Sequence, residues 1–204
     1  MSAPRTVHIL LFPDVEVLDF AGPYEVFHAA NEVAGKQRFE IRTVAEGGDG
    51  LRARGGLRIR PELSFEDSGD VDIAVVPGGS GTRAAAERPA VVDWIRRQKG
   101  GAELVLSVCT GALLLGRAGL LDGKPATTHH TALDRLRTEV PSATVEGDRR
   151  FVEVGSLITA AGVSAGIDAA FRVVERTLGE SLARETARYM EYERRDGRGQ
   201  LLGR

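Results

Sequence analysis

Apolar residues in this chain gather in short runs separated by longer stretches with a helical period. The runs at 7–12, 39–44, 71–76, 104–108 and 157–160 are rich in branched side chains and short enough for buried strands. The stretches 24–33, 89–99, 111–118, 131–140, 165–178 and 180–194 fit helices, with Gly or Pro at many junctions. This alternation predicts an α/β fold, a mostly parallel sheet with helices on both faces. Residues 57–60 and 151–154 alternate apolar and polar positions, which predicts peripheral antiparallel strands with one wet face. No internal repeat or low-complexity linker interrupts the pattern. The expectation is a single domain over 1–204, with its core over about 6–193 and a polar tail at 194–204 that frays or docks late.

Composition narrows the setting. A chain of 204 residues is long enough to bury a full core without disulfides or a structural metal. One cysteine makes no internal disulfide, which points to a reducing, cytoplasmic location. The apolar run from Val7 is broken by His8, Pro13 and Asp14, so it does not read as a secretory signal. No stretch approaches the roughly 18 apolar residues of a membrane span. With 27 basic and 29 acidic residues the net charge is -2, and no global field favours nucleic acid or a membrane surface. The expected partner is a small soluble molecule.

Candidate chemistry centres on the single cysteine, Cys109, where the run Leu104-Val105-Leu106-Ser107-Val108 gives way to a helical pattern. A helix N-terminus presents unpaired N–H groups that favour thiolate, and Gly111 supplies the small residue a sharp turn needs. The arrangement is a nucleophile elbow with cysteine in place of serine and Ser107 in place of the usual first glycine. The competing reading is an inert core thiol, since free cysteine is among the most buried residue types.

Sites in open parallel sheets form beyond the carboxyl ends of the strands. Four segments fall there: 13–23 with Asp19, Pro77-Gly78-Gly79-Ser80-Gly81, Cys109-Thr110-Gly111, and His129-His130 after a short run at 126–128. Asp19 is a carboxylate inside the apolar Val17-Leu18-Asp19-Phe20. It reads either as the N-cap of the helix through Tyr24 or, facing Cys109, as a proton donor whose pKa burial would raise. The glycine loop is either an ordinary turn or a source of N–H groups for developing negative charge, and it lacks the spacing of a phosphate loop. His129 and His130, adjacent in an extended segment, would point to opposite faces. His129 then either tunes the cysteine region or is a structural histidine. No metal-ligand spacing is present, so no metal is expected.

The segments Leu11-Phe12-Pro13-Asp14-Val15-Glu16-Val17-Leu18-Asp19-Phe20-Ala21-Gly22-Pro23, Val76-Pro77-Gly78-Gly79, Ser107-Val108-Cys109-Thr110-Gly111-Ala112 and Ala126-Thr127-Thr128-His129 together resemble the ThiJ/PfpI superfamily. Within it the likeness is greatest to isocyanide hydratases and to the amidotransferase-like ligand domains of AraC-type regulators. With Ala161-Gly162-Val163-Ser164-Ala165-Gly166-Ile167-Asp168, the motifs span about residues 7–192. The resemblance implies a flavodoxin-like three-layer sandwich and a homodimer. It places Cys109 at the elbow with Asp19 as its acidic partner, and makes Gly79 and Thr110 amide donors of an oxyanion-type pocket with Gly78 beside them. Thr110 stands where the protease-named branch has histidine, which argues against peptidase activity. His129 falls at the position of a histidine near the cysteine, and Gly162 and Val163 belong to the segment that shapes the pocket for the substrate's substituent.

The implied chemistry is hydration of an isocyanide to an N-substituted formamide through a Cys109 thioimidate, with no cofactor. The alternatives are a glyoxalase-type cysteine enzyme, for which His129 is the one candidate proton relay, and a non-catalytic ligand or oxidative-stress sensor. DNA-binding modules of AraC type need roughly a hundred further residues.

Overall fold

The computed structural model describes residues 3–203. The first half runs β1 (Arg5–Leu10), α1 (Val17–Ala34), β2 (Phe39–Ala45), β3 (Leu51–Arg52), β4 (Arg58–Ile59), β5 (Leu63–Ser64), β6 (Ile73–Val76), α2 (Thr82–Ala86) and α3 (Pro89–Gly101). The second runs β7 (Leu104–Val108), α4 (Gly111–Arg117), β8 (Pro125–Ala126), α5 (Leu133–Glu139), β9 (Thr144–Val145), β10 (Phe151–Val154), β11 (Leu157–Ala160), α6 (Ala165–Leu178) and α7 (Glu180–Tyr189).

Seven strands form one sheet in the order β10-β11-β7-β6-β1-β2-β5. Every neighbouring pair is parallel except β10 with β11. Helices α1, α6 and α7 pack together on one face, and α2, α3, α4 and α5 on the other. Alternate strand residues feed two separate cores. Val7, Ile9, Ile73, Val75, Leu104, Leu106 and Val108 point toward α1 and α6, while Leu10, Ala74, Val76 and Val105 join the core under α3 and α4. Because both faces are covered, the central strands read as continuous apolar runs rather than alternating ones. Each fully buried branched or aromatic side chain contributes about 1.5–3 kcal/mol.

The alternating segments behave as expected. β10 is the antiparallel edge strand, and β4 pairs antiparallel with β3 in a small separate hairpin. Two features differ from the sequence expectation. Helix α1 starts at Val17, not near residue 24, and carries Gly22 and Pro23 inside it. An interior proline costs a helix about 3 kcal/mol, but packing outweighs it here. Val26 and Phe27 are fully buried, and Gly22 lies so close to α6 that a Cβ there would be 2.9 Å from Ile167 Cγ1. Second, β8 pairs with β9 outside the main sheet. Of the two courses expected for the tail, the structure shows docking. Helix α7 ends at Tyr189, short of residue 194, and the residues beyond fold into a small loop closed by a bridge between Arg195 and Leu201. Arg150 N–H donates to Gly197 C=O at 2.9 Å and fixes that loop to the body. Among the described residues no helix is long and apolar enough to cross a membrane.

Candidate functional site

Cys109 occupies the turn between β7 and α4 with φ 55, the left-handed region that a side chain enters only when its surroundings force it. Its N–H donates to the carbonyls of Ala161 (2.8 Å) and Ala160 (3.2 Å) at the end of β11, and its own carbonyl accepts the Thr128 hydroxyl at 2.7 Å. The turn is also wedged from the β6 side. A Cβ on Gly111 would be 2.1 Å from Val76 O, and one on Gly78 would be 2.5 Å from both Thr110 N and Oγ1. Two glycine-bearing turns therefore pack backbone against backbone, which only residues without a Cβ allow.

The start of α1 closes the site from a third direction. Val15 and Gly79 form an antiparallel bridge, and Glu16 N–H donates to Gly78 C=O at 2.9 Å. These contacts place Asp19 in the first turn of the helix, fully buried, with Oδ2 accepting the Gly78 N–H at 3.0 Å. Asp19 is thus not an N-cap. Glu16 holds that position, and no side chain caps the helix. Oδ1 of Asp19 accepts no conventional hydrogen bond, and the side-chain donor beside the carboxylate is the Cys109 thiol.

The electrostatics follow from this burial. Desolvation pushes the Asp19 carboxyl up to about 7; the Gly78 N–H and the thiol pull it down, while the charge of Glu16 adds to the rise. The Cys109 thiol is pushed up to about 11, first by burial and then by the charge of Asp19. Backbone amides of Thr110 and Val163 and the Thr110 side chain bond the sulfur and oppose the rise, but they lose to burial. The N–H at the start of α4 pulls the sulfur toward thiolate as the sequence predicts, and burial beside a carboxylate outweighs it.

The remaining expected residues gather at the same rim. Thr110 Oγ1 accepts from Gly79 N–H at 2.9 Å and shares a 2.8 Å hydrogen bond with the Thr82 hydroxyl. The amides of Gly78, Gly79 and Thr110 are thus each engaged within the protein, by Asp19, the Thr110 hydroxyl and the Cys109 sulfur. Val163 has φ 40, unusual for a branched residue, and follows Gly162, where a Cβ would be 2.4 Å from His129 Cδ2. His129 accepts from Thr131 N–H (3.3 Å) and shares a 2.8 Å bond with the Thr131 hydroxyl, both through Nδ1. Its pKa is lowered, chiefly by burial and then by His130 and Arg54. The two imidazoles do not point to opposite faces; their centroids are 4.3 Å apart because the chain turns into a 3-10 helix at His130. Among the described residues no group of His, Cys, Asp and Glu could hold a metal.

Sequence reasoning did not single out Thr128, Thr82 or the Glu16–Arg54 ion pair (2.9 Å), whose charges reach His129. The buried pair Thr127-Thr128 between Ala126 and His129 was the available signal for the first.

Isonitrile hydratase of Pseudomonas putida is 37% identical over 186 residues, which cover 91% of this chain and 78% of that protein. The HTH-type transcriptional regulator GbdR of Pseudomonas aeruginosa is 27% identical over 191 residues, 94% of this chain but 52% of the regulator, so the chain spans about half of it. The crystal structure of a ThiJ/PfpI family protein from Pseudomonas syringae superposes with a TM-score of 0.84 at 30% identity, covering 93% of this chain and 76% of that one. The family model described as DJ-1/PfpI matches residues 5–176, and with these relatives it establishes that the chain belongs to the DJ-1/PfpI family.

Proposed function

We propose that this protein hydrates an isocyanide to an N-substituted formamide, with Cys109 as nucleophile and Asp19 as the group that moves the proton. The observation that carries the reading is the pairing of a buried thiol with a fully buried carboxylate whose second oxygen has no conventional partner. With the carboxyl near 7 and the thiol near 11, the pair between those pH values holds one proton, on sulfur. A resting thiolate is not needed. As the sulfur adds to the terminal isocyanide carbon, Asp19 accepts the thiol proton and delivers it to that same carbon, giving a thioimidate, Cys109–S–CH=N–R. Asp19 is again a carboxylate and activates a water. Water adds across the C=N bond, the C–S bond breaks, and the thiol re-forms as R–NH–CHO leaves. The sum is one isocyanide plus one water, with no redox change and no cofactor.

The resemblance to isonitrile hydratase supports this reading. The rim residues divide the remaining work. Rotation of the Thr110 hydroxyl away from Gly79 would free that amide for the substrate, while Gly162, Val163 and His129 border the substituent. Formamide production across a panel of alkyl and aryl isocyanides tests the proposal. Wild type is expected to turn over, Cys109→Ala to show no activity, and Asp19→Asn to lose at least about a hundredfold; hydration retained by Cys109→Ala sinks the assignment.

A second reading is a ligand or oxidative-stress sensor. The match to a transcriptional regulator over most of the chain favours it. No turnover in the isocyanide panel, with graded peroxide converting Cys109 to higher-mass forms, would select the sensor.

A further inference from the structure

The amide of Val163 bonds the Cys109 sulfur from a backbone conformation that a branched residue rarely adopts. Strain of that kind persists only where neighbours over-determine it. The loop that carries it, residues 161–164, is held from one residue, Arg150. The backbone carbonyl of Arg150 accepts the Ala161 N–H at 2.9 Å, and Ala161 in turn accepts the Cys109 N–H. The Arg150 side chain reaches the Ser164 hydroxyl at 3.3 Å through Nη2 and pairs with Asp168 through Nε. Both ends of the loop are therefore tied to Arg150, and α6, which begins directly after it, is tied through Asp168.

Arg150 is itself locked by the chain beyond α7. Asp168 is fully buried in its side chain and accepts the Tyr192 hydroxyl at 3.1 Å and the Arg195 N–H at 2.7 Å. The Arg150 N–H is held by Gly197 at 2.9 Å, and Tyr192 stacks on Phe171 of α6 at 5.5 Å. Asp168 thus has three donors and Arg150 is fixed at backbone and side chain, an arrangement beyond what closing a chain end requires. The residues from Tyr192 onward form a strap whose contacts converge on the support of the Cys109 turn.

We propose that Arg150, locked through Asp168 by the C-terminal strap, is a positioning residue that holds the Val163 amide on the Cys109 sulfur. It rests on the reading of Cys109 as the reacting group. The residue touches no reacting atom and acts only by fixing where one backbone donor points.

The test reads the sulfur directly and needs no isocyanide. Because the chain has a single cysteine, iodoacetamide labelling followed by intact mass gives the alkylation rate of Cys109 against pH. The titratable neighbour acting on the sulfur is Asp19, with Glu16 acting on Asp19, and both are unchanged in the variants. In folded Arg150→Met, loss of the Val163 donor raises the thiol pKa; half a unit slows alkylation about threefold at pH 8. Arg150→Lys, which keeps the charge on Asp168 and loses the fork to Ser164, falls between it and wild type. Tyr192→Phe removes one hydroxyl from Asp168 and shifts the profile the same way by less, and it carries the test if Arg150→Met does not fold. Arg137→Gln, which breaks an exposed ion pair on α5, changes nothing. Two results overturn the proposal: an unchanged profile, or faster alkylation at every pH, which would mean that the strap merely covers the sulfur. A failed isocyanide assay with these shifts intact would refute the hydratase reading and leave this one standing.

Discussion

At the scale of single residues the controlling fact is that Asp19 and Cys109 titrate as a pair. Below about 7 the carboxyl is protonated and cannot accept the thiol proton; between about 7 and about 11 the carboxylate faces a thiol; above that the sulfur has no proton to give. If Asp19 moves the proton, kcat/KM for an isocyanide rises about tenfold per pH unit up to about 7 and is then flat to the alkaline limb. A pH–rate profile from 5 to 9 checks this, and a rate independent of pH over 5 to 7 removes Asp19 from the proton-transfer role. Both residues stood out in the sequence, one as the only cysteine and the other as a carboxylate inside an apolar run. What stayed hidden was the allocation of backbone donors. Nothing in the letters shows that the Gly78 amide serves Asp19, or that Val163 turns its N–H to the sulfur. The balance of forces on the sulfur stayed hidden for the same reason: a helix start is visible in sequence, while the depth of burial around it is not.

Among the elements, the site is a joint between turns, and its tolerance is set by backbone contact. Gly111 opens α4 directly against β6, where an added Cβ would meet the Val76 carbonyl at 2.1 Å. Neither partner is a flexible side chain, so Gly111→Ala is expected to cost about 2 kcal/mol or more. Gly100, inside α3 with nothing within 4 Å of an added Cβ, is the contrast, and Gly100→Ala gains up to about 1 kcal/mol from helix propensity. Urea melts of the two variants check the pair of predictions, and equal midpoints would mean that the turn can give way. The same contrast explains which elements were legible. Strands β7 and β11 and helix α6 have the expected limits because both faces of each strand are buried and mostly apolar and α6 keeps its period throughout. The start of α1 was misplaced because Gly22 and Pro23 are helix breakers by propensity. Gly22 is explained by its close approach to Ile167, a residue far away in sequence. The partners of β8 and of the docked strap were hidden in the same way, since no local pattern announces them.

For the whole molecule, a carboxylate buried for chemistry carries a cost in stability that pH can expose. The folded-state pKa of Asp19, about 7, lies above its ordinary 3.8. The folded protein therefore binds the proton more tightly than the unfolded chain. The stability this provides is fully present below about 3.8 and is lost as pH rises through about 7. Asp19→Asn keeps an acceptor for the Gly78 amide but has no charge to bury, so it escapes that loss. Its melting temperature is expected to exceed wild type by several degrees at pH 8, with the gap closing toward pH 4. His8 also contributes to the pH dependence of both proteins, since burial lowers its pKa and costs stability as pH falls below about 6.5. That effect is common to wild type and variant and cancels in their difference, which makes the difference at each pH the quantity to measure. A gap constant from pH 4 to 8 would mean that Asp19 is not titrating near neutrality, and the proton route through it would fall with that result. A gap that opens between pH 4 and 7 in a variant too slow to turn over would show one residue trading stability for reactivity.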